Sequence, residues 1–224
     1  RAAGHDWSGT VPGNTRDTLW TEYRPFDELP IVENPKSGFI QNCNSDPFQT
    51  TIGGDNPDES AFSENYGIEK WMTNRARRAV ELYGGDDSIN HDEFFRYKYD
   101  KTYSEKSELR MQVVNFLDAQ PESNGLKKEL ELLRQWNGEM AKDNRSAALV
   151  LLTFRPRSNS SKRKTEHERT LEQLQKASED LRKHFGQIDV EWGKVNRLVR
   201  GDKNLPLGGG PDTLRAIYGR PKED

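Results

Sequence analysis

Proline and glycine punctuate the first third of this chain so densely that no helix of ordinary length fits there. Pro12, Gly13, Pro25, Pro30, Pro35, Gly38, Pro47, Gly53, Gly54 and Pro57 all fall before residue 60. Proline removes a backbone donor and fixes φ, while glycine adds the conformational freedom that turns use. Only short strands and turns remain possible, and 38–42 is the best strand candidate.

From Ile68 the pattern changes. Ile68, Trp71, Arg75, Ala76, Ala79 and Leu82 recur at helical spacing, and Gly84 with Gly85 supplies a stop. Ser88 or Asn90 can cap a short helix through Phe94 and Tyr97. Leu109, Val113, Phe116 and Leu117 mark another before Pro121, and Leu126, Leu130 and Leu133 continue the pattern to Trp136. The run 147–154 is apolar throughout, which fits a buried strand or two buried helical turns, and Pro156 ends it. The strongest helix spans 166–185: Thr165 and Glu168 form a capping box, Leu171, Leu174, Ser178, Leu181 and Phe185 share one face, and Gly186 terminates it. Beyond it, 188–200 and 205–210 read as extended segments with a glycine turn. The expected fold class is therefore α+β and mostly α-helical, in three stretches: 1–66 irregular with short strands, 67–185 helical, and 186–224 extended.

Composition says how this chain is cored. Of 224 residues 32% are apolar, and the mean hydropathy is −1.03. Leu, Ile, Val and Phe make up about a fifth of the chain, near the level at which folding fails, but a net charge of only −3 and five tryptophans favour a folded chain with a thin core. No window approaches the roughly 20 apolar residues of a membrane span, and the N-terminus does not read as a signal sequence. Cys43 stands alone, so no internal disulfide forms.

Most local motifs carry no chemistry. His167 and Glu168 begin like a zinc-protease helix, yet Leu171 stands where the second histidine belongs. The acidic stretch 86–93 lacks the first ligand of a calcium loop, since that position falls on Leu82, and it reads better as a helix cap. The glycines at 208–210 lack the lysine and hydroxyl of a phosphate loop and read as a tight turn. The basic, serine-rich stretch 155–164 reads as a solvated loop, and given the slightly acidic overall balance no nucleic-acid partner is expected. Cys43 has no neighbouring histidine to activate it and reads as a small buried side chain.

The segment NPKSGFIQNCNSDP, residues 34–47, combines glycine, an aromatic residue, asparagine and proline at fixed spacing. It resembles a segment of the large subunit of penicillin acylases, N-terminal nucleophile hydrolases that cleave amides. NRARRAVEL, residues 74–82, resembles the arginine-bearing helix that follows it in that family. FGQIDVEWG (185–193) and LPLGGGPDTLRA (205–216) look like the branch acting on long-chain acyl amides, which includes acyl-homoserine-lactone and lipopeptide acylases.

The resemblance implies a mechanism and two site residues. In such enzymes the hydroxyl of an N-terminal serine attacks the amide and its own α-amino group acts as base, with a pKa suited to neutral pH. The oxyanion is held by a backbone N–H and an asparagine side chain. That asparagine matches Asn44, and the arginine that positions it matches Arg75. An amide NH₂ donates to a developing negative charge where a carboxylate would repel it. Asn34 and Asn42 read as turn or backbone-bonding residues.

Nothing in the chain looks like the nucleophile segment or the backbone oxyanion donor. It is therefore expected to be an internal piece of the large subunit, part of a four-layer αββα fold with short strands at both ends and a helical excursion, and inactive alone. Its expected partners are the rest of the large subunit, the small subunit and an acyl amide substrate. The parent is expected in the periplasm or secreted. No cofactor is expected; some members of the family hold a structural calcium, and Asp55 is the position to watch for one. The rival expectation is a non-catalytic helical module binding a partner through the apolar faces of 105–185.

Overall fold

The computed structural model describes residues 5–7, 9–19, 23–119, 125–154 and 165–218. Its residues fall into two compact units, Arg1–Ser88 and Ile89–Asp224. The fold is α+β and mostly helical, as expected, with one two-stranded antiparallel sheet among the described residues.

The first unit is a string of single 3₁₀ turns leading into one helix, α1 (Asn74–Gly84). Pro47–Gln49 shows how such a turn is made: Asp46 accepts from the Phe48 N–H at 2.9 Å, and proline occupies the first position, where its missing donor costs nothing. The expected strand at 38–42 does not form. Gly38 lies at φ 75°, and Asn34 and Asn44 lie at 47° and 58°, so left-handed residues bracket the segment and prevent a pleated run. Among the described residues, one backbone bond, Gln41 N–H to the Thr50 carbonyl at 2.8 Å, is the ladder-like contact it makes.

Side-chain amides do the rest of the pairing. Gln41 Nε2 donates to the Gln49 carbonyl at 3.0 Å and to Ser45 Oγ at 3.1 Å, and its Oε1 accepts from the Cys43 N–H. Asn56 Oδ1 accepts from the Thr50 and Thr51 N–H groups at 3.0 and 3.1 Å, while its Nδ2 donates to the Thr51 carbonyl. Apart from the Gln41–Ser45 contact, each bond satisfies a backbone group that a regular ladder would have paired.

α1 begins at Asn74 rather than at the expected Ile68. Thr73 is the reason: its backbone is extended, and its hydroxyl accepts from the Ala76 N–H at 3.1 Å. Ala76 and Ala79 are buried, and Gly84 closes the helix against Ile52, whose Cγ2 lies 2.8 Å from where a Cβ would stand.

The second unit holds the core. Asn90, of the two cap candidates, starts α2 (His91–Lys98) through a reciprocal box with Glu93, both bonds at 3.0 Å. α3 (Glu108–Asp118) and α4 (Lys127–Arg134) follow where the apolar spacing places them. The run 147–154 is a helix, α5 (Ala147–Phe154), opened by Asn144 Oδ1, which accepts from the Ser146 and Ala147 N–H groups at 3.0 and 2.9 Å. Ala147, Ala148, Leu149 and Val150 are all fully buried.

α6 (Glu166–Phe185) forms as expected, with the Thr165–Glu168 box at its start and Gly186 at φ 76° at its end. It lays Leu174, Ala177 and Leu181 against α5 and a core that includes Val113, Phe116, Leu130, Leu133, Trp136 and Met140. Each large apolar side chain removed from water there contributes about 1.5–3 kcal/mol. The apolar residues that a partner-binding face would need are thus largely spent on the chain's own core. One-turn α7 (Trp192–Val195) leads to the hairpin β1 (Arg197–Arg200) and β2 (Lys203–Pro206), where Leu198 pairs with Leu205. The glycine segment 208–210 does not itself form a turn; Gly209, at φ 95°, receives the Trp192 indole N–H on its carbonyl at 2.7 Å.

Candidate active site

Three residues spaced two apart, Trp71, Thr73 and Arg75, reach the same dipeptide, Cys43–Asn44. The Trp71 indole N–H donates to the Asn44 carbonyl at 2.7 Å, and the Thr73 hydroxyl donates to the Cys43 carbonyl at 2.9 Å. Arg75 Nη2 donates to Asn44 Oδ1 at 2.9 Å. In return the Asp46 N–H donates to the Trp71 carbonyl at 2.9 Å. The turn at 43–46 is therefore tied to the start of α1 from both directions.

Asn44 is placed by this frame rather than by burial, since its side chain is exposed. Its left-handed backbone, φ 58°, is one that asparagine tolerates better than most residues. Its N–H donates to Asn42 Oδ1 at 3.2 Å, which gives Asn42 the turn-bonding part expected of it. Arginine has donors and no acceptor, so the atom facing Arg75 must be the amide oxygen. That assignment turns Nδ2 the other way, and among the described residues Nδ2 has no acceptor. Three of the four polar groups of Asn44 are spent on its own positioning, and the fourth is a preoriented, solvent-facing donor.

The remaining sequence candidates stay apart from this frame. Asp55 accepts from the Lys36 N–H at 2.8 Å, which ties two turns together. Among the described residues no group of three His, Cys, Asp or Glu side chains is arranged to hold a metal ion. His167 packs its ring against Phe116 at 5.3 Å in the helical unit. Cys43 is half-buried rather than buried, with its carbonyl held by Thr73. The basic stretch 155–164 lies outside the described residues. Trp71 and Thr73 were not legible as site residues, because 68–73 reads as helix interior. A threonine just ahead of Asn74 is the one local signal that marks a cap there.

The penicillin amidase family model matches residues 2–223. The chain therefore belongs to the penicillin amidase family, whose members are amide hydrolases processed into more than one subunit. No helix among the described residues is long and apolar enough to cross a membrane.

Proposed function

We propose that this chain supplies the side-chain half of the oxyanion hole in a penicillin-acylase-like amidohydrolase, with Asn44 Nδ2 as the donor and Arg75 as the residue that orients it. The observation that carries this reading is the Arg75–Asn44 bond at 2.9 Å, which leaves Nδ2 as the amide's outward group. A donor fixed before the substrate arrives costs no reorganisation as charge builds on the carbonyl oxygen, which is how such sites lower a barrier.

In this reading the nucleophilic serine, its α-amino base and the backbone oxyanion donor come from sequence outside these 224 residues, and the chain alone turns nothing over. Attack of the serine Oγ on the amide carbon forms the tetrahedral adduct. Its oxygen accepts from Nδ2, the amine leaves with a proton, and water then releases the acyl group. No cofactor is needed for any of these steps. The substrate is an N-acyl amide with a long acyl chain and a polar amine, such as an acyl-homoserine lactone, or the side-chain amide of a β-lactam. The motifs at 185–193 and 205–216 support the long-chain branch. A periplasmic or secreted parent fits such substrates.

The test is hydrolysis of a long-chain N-acyl-homoserine lactone by the full-length enzyme, wild type against Asn44→Ala, with subunit processing followed on a gel. Removing one oxyanion donor should cost about a hundred- to a thousandfold in kcat with processing intact. Near wild-type turnover by the processed variant would return Asn44 to a turn-forming role.

A further inference from the structure

Trp71 is more than half exposed, at 55%, so burial does not explain a side chain of its size at this position. Its polar contacts do. The carbonyl of Trp71 accepts from the Asp46 N–H at 2.9 Å, and its indole N–H donates to the Asn44 carbonyl at 2.7 Å. One residue thus holds the turn two positions apart, on Asn44 and on Asp46. Indole nitrogen is a donor only, so this bond runs in one sense and cannot be exchanged for another.

The two bonds to Asn44 do different things. Arg75 fixes the rotation of the amide plane, while Trp71 fixes the carbonyl that follows the left-handed Cα from which the side chain departs. Asparagine tolerates a left-handed backbone better than most residues, but still at some cost, so the bonds around Asn44 help to hold it there. Without the indole bond the carbonyl can swing, and the Cα–Cβ vector of Asn44 swings with it. Arg75 would then hold an amide whose origin has moved.

We infer that Trp71 is a positioning residue for the oxyanion donor, acting through its indole N–H on the backbone of Asn44. The inference rests on the reading of Asn44 given above. It deepens that reading by assigning a residue that acts on the donor without contacting substrate.

The test is a double-mutant cycle in the full-length, processed enzyme with Trp71→Phe and Asn44→Ala, assayed on an N-acyl-homoserine lactone and on a chromogenic acyl anilide. Phenylalanine retains most of the ring and removes the N–H. Loss of one such bond is expected to lower kcat roughly three- to tenfold with KM unchanged. In the Asn44→Ala background the same change should cost nothing further, because no donor remains to be positioned. An equal loss in both backgrounds would make Trp71 a merely structural residue and overturn the inference, as would no loss in the wild-type background. An Asn44→Ala enzyme as active as wild type overturns the underlying reading instead. A wild type inert on both amides overturns reading and inference together.

Discussion

Arg75 reaches Asn44 across 31 positions of chain, Nη2 to Oδ1 at 2.9 Å, and in doing so decides which end of the asparagine amide faces outward. The pair is exposed, so its net contribution to stability is small, on the order of 0–1 kcal/mol by analogy with other exposed charged contacts. Its consequence is geometric. Arg75→Met should leave the fold and subunit processing intact and lower kcat by about tenfold to a hundredfold, the scale expected when a catalytic group is displaced by about an ångström. Steady-state kinetics of the full-length enzyme checks this, and a raised KM with unchanged kcat would count against an orienting role. Arg75→Lys should recover only part of the loss, since an ammonium offers no planar fork to align with the amide.

Asn44→Asp separates donation from shape. The carboxylate is nearly isosteric and can accept from Arg75 as the amide oxygen does, so thermal stability should be unchanged or slightly raised. If Asn44 is the proposed oxyanion donor, activity should fall at least as far as in Asn44→Ala, because the outward atom becomes an anionic acceptor facing a developing oxyanion. A variant retaining a tenth or more of wild-type kcat would show that Nδ2 does not donate in the rate-limiting step.

What could be read from sequence depended on whether the relevant interactions were local. α6 was legible to the residue because its capping box, apolar face and terminal glycine all lie within 22 positions. α5 was not, because a segment that is apolar on every side has no periodicity to report. The segment 38–42 looked like a strand by composition, but Gly38, Asn34 and Asn44 are left-handed, and Asn44 is held so by bonds from the distant Trp71 and Arg75. The candidate site shows the same division. Asn44 and Arg75 were identifiable through the family resemblance, whereas Trp71 acts over 27 positions and lies in a stretch whose spacing suggested helix.

The helical unit contains a buried carboxylate that ties its stability to pH. Glu129 is buried, accepts from Ser178 Oγ at 2.6 Å and from Arg182 Nη2 at 2.6 Å, and so joins α4 to α6. Burial alone would push its carboxyl up; the hydrogen bonds from Ser178 and Arg182 outweigh that and hold it below its ordinary value of 4.5. A carboxylate with a lowered folded value stabilises fully above its unfolded value and loses that contribution as pH falls through the folded one. Stability of the chain should therefore be flat at neutral pH and decline below about pH 4.5. Glu129→Gln should flatten that acid limb, which thermal unfolding at stepped pH would measure. Arg182→Met, which removes the charged partner while Ser178 still donates, should destabilise by about 1–3 kcal/mol at pH 7, less than a fully buried pair because Arg182 is half exposed.

Gly209 offers the sharpest backbone test in the same unit. Its φ of 95° is a conformation that a side chain disfavours, and a Cβ built there would stand 2.3 Å from the Arg215 carbonyl oxygen. The glycine cannot simply shift, because its N–H donates to the Met140 carbonyl at 2.7 Å and its carbonyl receives the Trp192 indole at 2.7 Å. Both partners belong to the buried core, so relief at one bond breaks another. Gly209→Ala should cost roughly 2–5 kcal/mol, combining left-handed strain with a clash that close packing cannot absorb. Gly186→Ala is the control, because that glycine is also left-handed, at 76°, yet has no atom within 4 Å of its Cβ position. It should cost only the strain, about 1–2 kcal/mol. Denaturant unfolding of the two variants side by side would separate conformation from crowding, and equal losses would mean that the Arg215 carbonyl moves aside freely.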